Sequence, residues 1–122
     1  MKHVVVVDDS EIVTELLKSA LEAEGVRVTA CLEPEREVVA GADPPDLILL
    51  DINMPQYFGD DVAAFFRDAW QVEAPIYLFS DIDEADLKAR TEEAGVAGYI
   101  WKGWGMDRVV ERILDLLGAD AG

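Results

Sequence analysis

Five times along this chain a short apolar run is followed by an amphipathic stretch. This alternation limits the fold more than any other feature. Consecutive strands separated by helices must pair in parallel, and such crossovers are right-handed, which places helices on both faces of one sheet. His3 to Val7 is β-branched, too short for a helix, and bounded by Asp8-Asp9-Ser10, so it reads as a buried strand. Ile12, Leu16, Leu17, Ala20 and Leu21 then mark an amphipathic helix, with Gly25 as its stop. Val26 to Cys31 alternates as a second strand, and Pro34 suits the entry to a short helix over Glu35 to Ala40.

The pattern repeats three more times. Leu47 to Leu50 is an uninterrupted apolar strand, and a loop with Pro55 and Gly59 leads to a helix from about Asp60 to Gln71, with Val62, Phe65, Phe66 and Ala69 on one face. Ile76 to Phe79 is the fourth strand, and Glu84 to Ala94 a helix sparse in apolar positions and closed by Gly95. Tyr99 to Trp101 is the fifth strand, and Met106 to Leu117 the last helix, carrying Val109, Val110, Ile113, Leu116 and Leu117. Residues 118–122 are expected to fray. At 122 residues the whole fits one α/β domain, 1–122, doubly wound around a five-stranded parallel sheet. The wholly apolar first and third strands suit its centre, where both faces are buried.

Charge narrows the function classes. The 26 acidic residues outnumber the 10 basic ones, for a net charge of −16. That balance argues against nucleic acid or an anionic membrane as partner, both of which need a basic footprint, and favours a cationic surface or a divalent cation. No apolar run reaches the roughly 20 residues of a membrane helix, and the start of the chain lacks a secretory pattern. The lone Cys31 forms no intrachain disulfide. Together these lead to an expected cytoplasmic location.

The polar residues carry the chemistry through where they fall. Asp8 and Asp9 follow the first strand, Asp51 the third, Ser80 the fourth and Lys102 the fifth, each at a strand's C-terminal end. In open α/β sheets ligand sites form along that edge, at the switch point where connections leave for opposite faces. In the strand order 2-1-3-4-5 this point lies between the first and third strands and gathers the three aspartates. Alone, each residue has a plainer role: Asp9 or Ser10 as a helix cap, Ser80 as another, Lys102 as a solvated strand end. Their shared edge is what separates them from coincidence. Two carboxylates about 5 Å apart repel by about 3 kcal/mol at an effective dielectric of about 20, so three call for a cation. Oxygen-only donors suit Mg²⁺. A carboxylate beside such a cation is also a nucleophile prepared for phosphoryl transfer, with Lys102 and the Ser80 hydroxyl available to the phosphoryl oxygens.

Val4-Val5-Val6-Val7-Asp8-Asp9-Ser10, Leu49-Leu50-Asp51-Ile52-Asn53-Met54-Pro55, Ser80 and Gly98-Tyr99-Ile100-Trp101-Lys102 resemble, in order and across essentially the whole chain, the receiver domains of two-component response regulators, the small chemotaxis type above all. The resemblance implies a flavodoxin-like (βα)5 fold and a phosphorylation-switched signalling domain rather than an enzyme acting on separate substrates. It implies that Asp8 and Asp9 ligate Mg²⁺ together with Asp51 and the Asn53 carbonyl. Asp51 would accept a phosphoryl group from a histidine kinase, a phosphotransfer protein or a small acyl phosphate. Ser80 would be the switch hydroxyl and Tyr99 the coupled aromatic. Output would be altered binding of a downstream protein on the face of the fourth helix, fifth strand and fifth helix, by a monomer or weak dimer.

Three positions depart from the family's usual sequence. Gly103 replaces a proline after the lysine, so the Lys102–Gly103 bond should be trans and its loop looser. Asp81 stands where a small residue is usual and would repel an anionic donor or slow attack by water. Tyr57-Phe58-Gly59 puts two aromatics near the mouth of the site. These departures keep open a pseudo-receiver that binds without being phosphorylated. An aspartyl-phosphate phosphatase is disfavoured because the aspartates after the first strand are adjacent rather than Asp-x-Asp. A dinucleotide site is disfavoured because no glycine-rich turn follows that strand.

Overall fold

The computed structural model describes residues 2–52 and 59–121. Five strands, β1 (His3–Val7), β2 (Arg27–Cys31), β3 (Leu47–Asp51), β4 (Ile76–Ser80) and β5 (Gly98–Trp101), alternate with helices α1 (Glu11–Ala23), α2 (Arg36–Ala40), α3 (Gly59–Asp68), α4 (Glu84–Ala94) and α5 (Met106–Ala121). A single 3-10 turn, Lys102–Trp104, joins β5 to α5. The sheet is parallel throughout, in the order β2-β1-β3-β4-β5. The two strands expected at the centre lie there, and all five residues of each are buried.

Alternation along the strands builds two cores. Val5, Val7, Ile48, Leu50 and Leu78 face one side and pack with Val39, Ala63, Phe66 and Leu87 from α2, α3 and α4. Val4, Val6, Leu47, Leu49, Phe79 and Ile100 face the other, with Leu17 and Leu21 of α1 and Val109, Ile113 and Leu117 of α5. Each fully buried aliphatic or aromatic side chain contributes about 1.5–3 kcal/mol relative to exposure, so α5, with three such anchors, is held far more firmly than α4. In α4 only Leu87, Thr91 and Ala94 are buried. Its ends are well capped instead: the Asp83 side chain accepts from Ala85 N at 2.9 Å, and Gly95 turns left-handed at φ 67°.

Two helical faces differ from the sequence reading. In α1, Ile12 and Leu16 are 76% and 56% exposed, and the buried row is Thr14, Leu17 and Leu21 with Val13 partly covered. Ile12 lies five residues before Leu17, about 140° around a helix of 3.6 residues per turn, so both cannot face the sheet. Thr14 takes the inner place because its hydroxyl donates to the Ser10 carbonyl at 2.8 Å, which removes the cost of burying it. In α3, Phe66 is buried while Phe65 is half exposed, resting edge-on against Trp70 with centroids 5.1 Å apart. That helix ends at Asp68, short of Gln71, whose φ is 55°. α5 runs on through Gly118 to Ala121 rather than stopping at Leu117; the alanines beyond are strong helix formers.

Candidate functional site

Register explains how the polar residues assemble. Val7 pairs with Leu50, Asp51 with Phe79 and Ser80 with Trp101, so the residues ending β1, β3, β4 and β5 sit level along one edge. Asp8 and Asp51 sit at adjacent ends of β1 and β3, the switch point of the sheet. Asp8 is fully buried, Asp51 is 3% exposed and Asp9 is exposed at the mouth. A carboxylate oxygen from each lies within 4.8 Å of the others.

The hydrogen bonding around Asp8 is asymmetric. Its Oδ1 accepts from Ser10 N at 2.9 Å, and Ser10 in turn caps α1 by accepting from Val13 N. Its Oδ2 has no aligned hydrogen bond, although Lys102 Nζ stands 2.7 Å away. That oxygen is charge-paired with the ammonium but poorly aligned with it, so its burial is only partly offset. Asp8, Asp9 and Asp51 bring three carboxylates together, of which Asp8 pairs with the Lys102 ammonium, and all the donors are hard oxygens. This is the set a hard divalent cation takes, and an added cation would offset the charge that one ammonium at Asp8 leaves. Asp8, Asp9 and Asp51 therefore fit such an ion. The side chain of Lys102 is itself mostly buried and passes over the Phe79 ring at 4.8 Å, a cation–π contact that fixes where its charge points.

The fourth and fifth strands supply the remaining groups. Ser80 is buried, and its Oγ accepts from Ile82 N at 3.2 Å. It does not cap α4, a task done by Asp83. Asp81, between them in the loop, is exposed. Tyr99 and Lys102 diverge as strand parity requires. Tyr99 packs toward the core on the α4 side and donates its hydroxyl to Glu84 Oε2 at 3.0 Å, while Lys102 reaches Asp8. Burial, helped by the bond to Glu84 and its charge, raises the Tyr99 phenol pKa. The metal role expected of the Asn53 carbonyl, and the aromatics Tyr57 and Phe58, lie outside the described residues.

Gly103 has a local cause. The Lys102–Gly103 bond is trans, and a Cβ at Gly103 would sit 2.5 Å from two indole atoms of Trp101. The ring lies across the glycine, so no side chain fits there. That same indole donates Nε1–H to the Ile82 carbonyl at 2.6 Å. Sequence reasoning missed this contact. The signal was available in Trp101 itself, since a half-buried indole N–H needs an acceptor, and in the glycine two residues on.

The family profile described as the response regulator receiver domain matches residues 4–114. The transcriptional regulatory protein KdpE of Escherichia coli is 32% identical over 115 residues, which cover 93% of this chain and 50% of KdpE. The chain thus spans about half the length of such curated relatives. The polar-differentiation response regulator DivK of Brucella ovis is 29% identical over 121 residues, covering 96% of this chain and 97% of DivK. Among solved structures, the receiver domain of the TMAO respiratory system response regulator TorR superposes with a TM-score of 0.82 at 26% identity, covering 98% of both chains. With that profile running from β1 into α5, the chain belongs to the receiver-domain family of two-component response regulators.

Proposed function

We propose that this receiver is switched by phosphorylation of Asp51. The observation that carries the reading is the set of three carboxylates within 4.8 Å, with Lys102 Nζ 2.7 Å from a buried Asp8 oxygen that lacks an aligned hydrogen bond. A carboxylate oxygen of Asp51 attacks phosphorus, and the bond from phosphorus to the donor's imidazole nitrogen or acyl oxygen breaks, its electron pair leaving with the donor. Lys102 offers its ammonium to the incoming phosphoryl oxygens, and the Ser80 hydroxyl offers a hydrogen bond. Asp8, Asp9, Asp51 and the Asn53 carbonyl would hold Mg²⁺, whose charge would offset that of the phosphoryl oxygens. Tyr99 follows Ser80, and the face of α4, β5 and α5 changes its affinity for a downstream protein.

The donor is a histidine kinase, a phosphotransfer protein or a small acyl phosphate, and the location is cytoplasmic. Relatives such as KdpE are transcriptional regulators about twice as long; at −16 this domain is poorly suited to touching nucleic acid itself. The pseudo-receiver reading loses one of its two supports, because Gly103 is accounted for by the Trp101 ring. Asp81 remains as a brake on donors or on hydrolysis. Incubation with acetyl phosphate and Mg²⁺, read by intact mass, should add one phosphoryl group to wild type and none to Asp51→Asn. Unmodified wild type under these conditions would refute phosphorylation at Asp51.

A further inference from the structure

Lys102 must present its ammonium at one point, and the backbone around it is poorly suited to doing so unaided. It opens the 3-10 turn between β5 and α5, with glycines at 103 and 105. Glycine leaves a backbone its widest choice of conformations. The hydrogen bond that closes the turn, from Gly105 N–H to the Lys102 carbonyl, measures 3.2 Å, and Gly105 takes a positive φ of 93°. The stronger restraint comes from outside the turn. The Trp101 indole folds over Gly103, where two of its atoms would stand 2.5 Å from a Cβ. It therefore spans Lys102, the residue between. Its Nε1–H donates to the Ile82 carbonyl at 2.6 Å, which ties the ring to the loop before α4. Lys102 leaves in the other direction, passing over the Phe79 ring at 4.8 Å and reaching Asp8 at 2.7 Å.

We infer that Trp101, seated on Gly103, is a positioning residue that holds the Lys102 ammonium on Asp8. The ring supplies the restraint that two glycines withhold, and the glycine at 103 is what admits the ring. Each half of the clamp needs the other. A lysine side chain has much rotamer freedom to lose, so a backbone fixed beneath it decides where its charge is found. The consequence for phosphoryl transfer rests on the proposed phosphorylation of Asp51 and deepens it. Lys102 is the ammonium offered to the phosphoryl oxygens, and moving such a group by about 1 Å can cost about 100-fold in rate. Trp101 acts through Lys102 and has no part in the chemistry itself.

Proton NMR shows where Lys102 stands without any phosphoryl donor. Its ε-methylene protons, identified by their loss in Lys102→Arg, should be shifted upfield of those of Lys2, Lys18 and Lys88 by the ring current of Phe79. Trp101→Ala removes the indole, and Gly103→Ala lifts it off its seat. Each should return the Lys102 signal toward the other lysines and slow phosphorylation by acetyl phosphate with Mg²⁺ about 10- to 100-fold. Gly103→Ala should do this only while the indole is present, so adding it to Trp101→Ala should change neither reading further. Leu21→Val, a loss of core packing in α1, should lower thermal stability and leave both readings alone. A Lys102 signal that stays upfield in both single variants refutes the clamp, whatever happens to the rate. So does a methyl group at 103 that does equal harm without the indole. If wild type takes up no phosphoryl group, the Asp51 reading fails, and the lysine signal still decides for or against the clamp.

Discussion

The two ends of the sheet both bury polar groups, and they treat them in opposite ways. At the N-terminal edge His3 is nearly enclosed and fully partnered. Its backbone N–H donates to Asp46 Oδ2 at 2.8 Å, Nε2 meets Thr29 Oγ1 at 2.8 Å, and Nδ1 meets Arg27 Nη2 at 3.0 Å. Arg27 also pairs with Asp43, which holds the Asp43 carboxyl below its ordinary pKa, chiefly through that hydrogen bond. At the C-terminal edge three carboxylates crowd together, and the buried Asp8 oxygen paired with Lys102 is not aligned for a hydrogen bond. The first edge is satisfied by the chain alone, as buried polar groups in native proteins usually are. The second gathers acidic groups whose charge the proposed cation would balance. Charge imbalance in a buried cluster is tolerated where function needs it.

If that contrast is right, substitutions at the two edges should move stability in different directions. The largest effect is expected at Lys102. Lys102→Met strands the buried Asp8 carboxylate among its neighbours and should cost about 3–5 kcal/mol in metal-free buffer, read by urea unfolding. Mg²⁺ should restore part of that loss, and a second change, Asp8→Asn, should restore most of it. A loss below about 0.5 kcal/mol would mean that the ammonium does not hold the cluster together. Next comes Asp51→Asn, which removes one of three clustered charges and should stabilise the metal-free protein by about 2 kcal/mol. The gain should vanish with millimolar Mg²⁺, because the variant loses a ligand of the proposed cation site. A destabilised variant in metal-free buffer would show that the cluster is not under repulsive strain.

How legible all this was depended on the range of the interaction. Strand order and both cores follow from a period-2 or period-3.6 pattern over five to fifteen residues, which is local information. The Asp8, Asp9, Asp51 and Lys102 convergence was legible because parallel strands all end on one edge, so position along the strand stands in for position in space. Rotation of α1 and α3 was not. Ile12, Leu16 and Phe65 fit a helical stripe as well as their buried neighbours do, and choosing between two stripes needs the angle at which the helix meets the sheet. The Trp101–Ile82 bond was hidden for another reason. It links residues 19 apart through a backbone carbonyl, which has no residue type to recognise. The His3 network escaped notice likewise, since its partners come from β2 and from the approach to β3.

That network gives the smallest effect and the cleanest separation of the two edges. Arg27 only donates, so His3 Nδ1 must be the unprotonated nitrogen, with the ring proton on Nε2 toward Thr29. Burial first, and then the Arg27 charge, lower the His3 pKa, against weaker opposing contributions from Asp43 and Asp46. In the unfolded chain His3 binds a proton below about pH 6.5, whereas the folded protein resists doing so until lower pH. The contribution to stability is therefore intact above that value. It is lost as pH falls toward the folded pKa, and then levels off. Unfolding free energies measured between about pH 5 and 7.5 should show wild type losing stability relative to His3→Gln as the pH drops. His3 and Asp8 stand at opposite ends of β1, about 16 Å apart at the rise of a parallel strand. The difference between the two profiles should consequently be the same with and without Mg²⁺. Parallel profiles would remove His3 as their cause, and a difference that collapsed on adding Mg²⁺ would show that the two ends of the sheet communicate through β1.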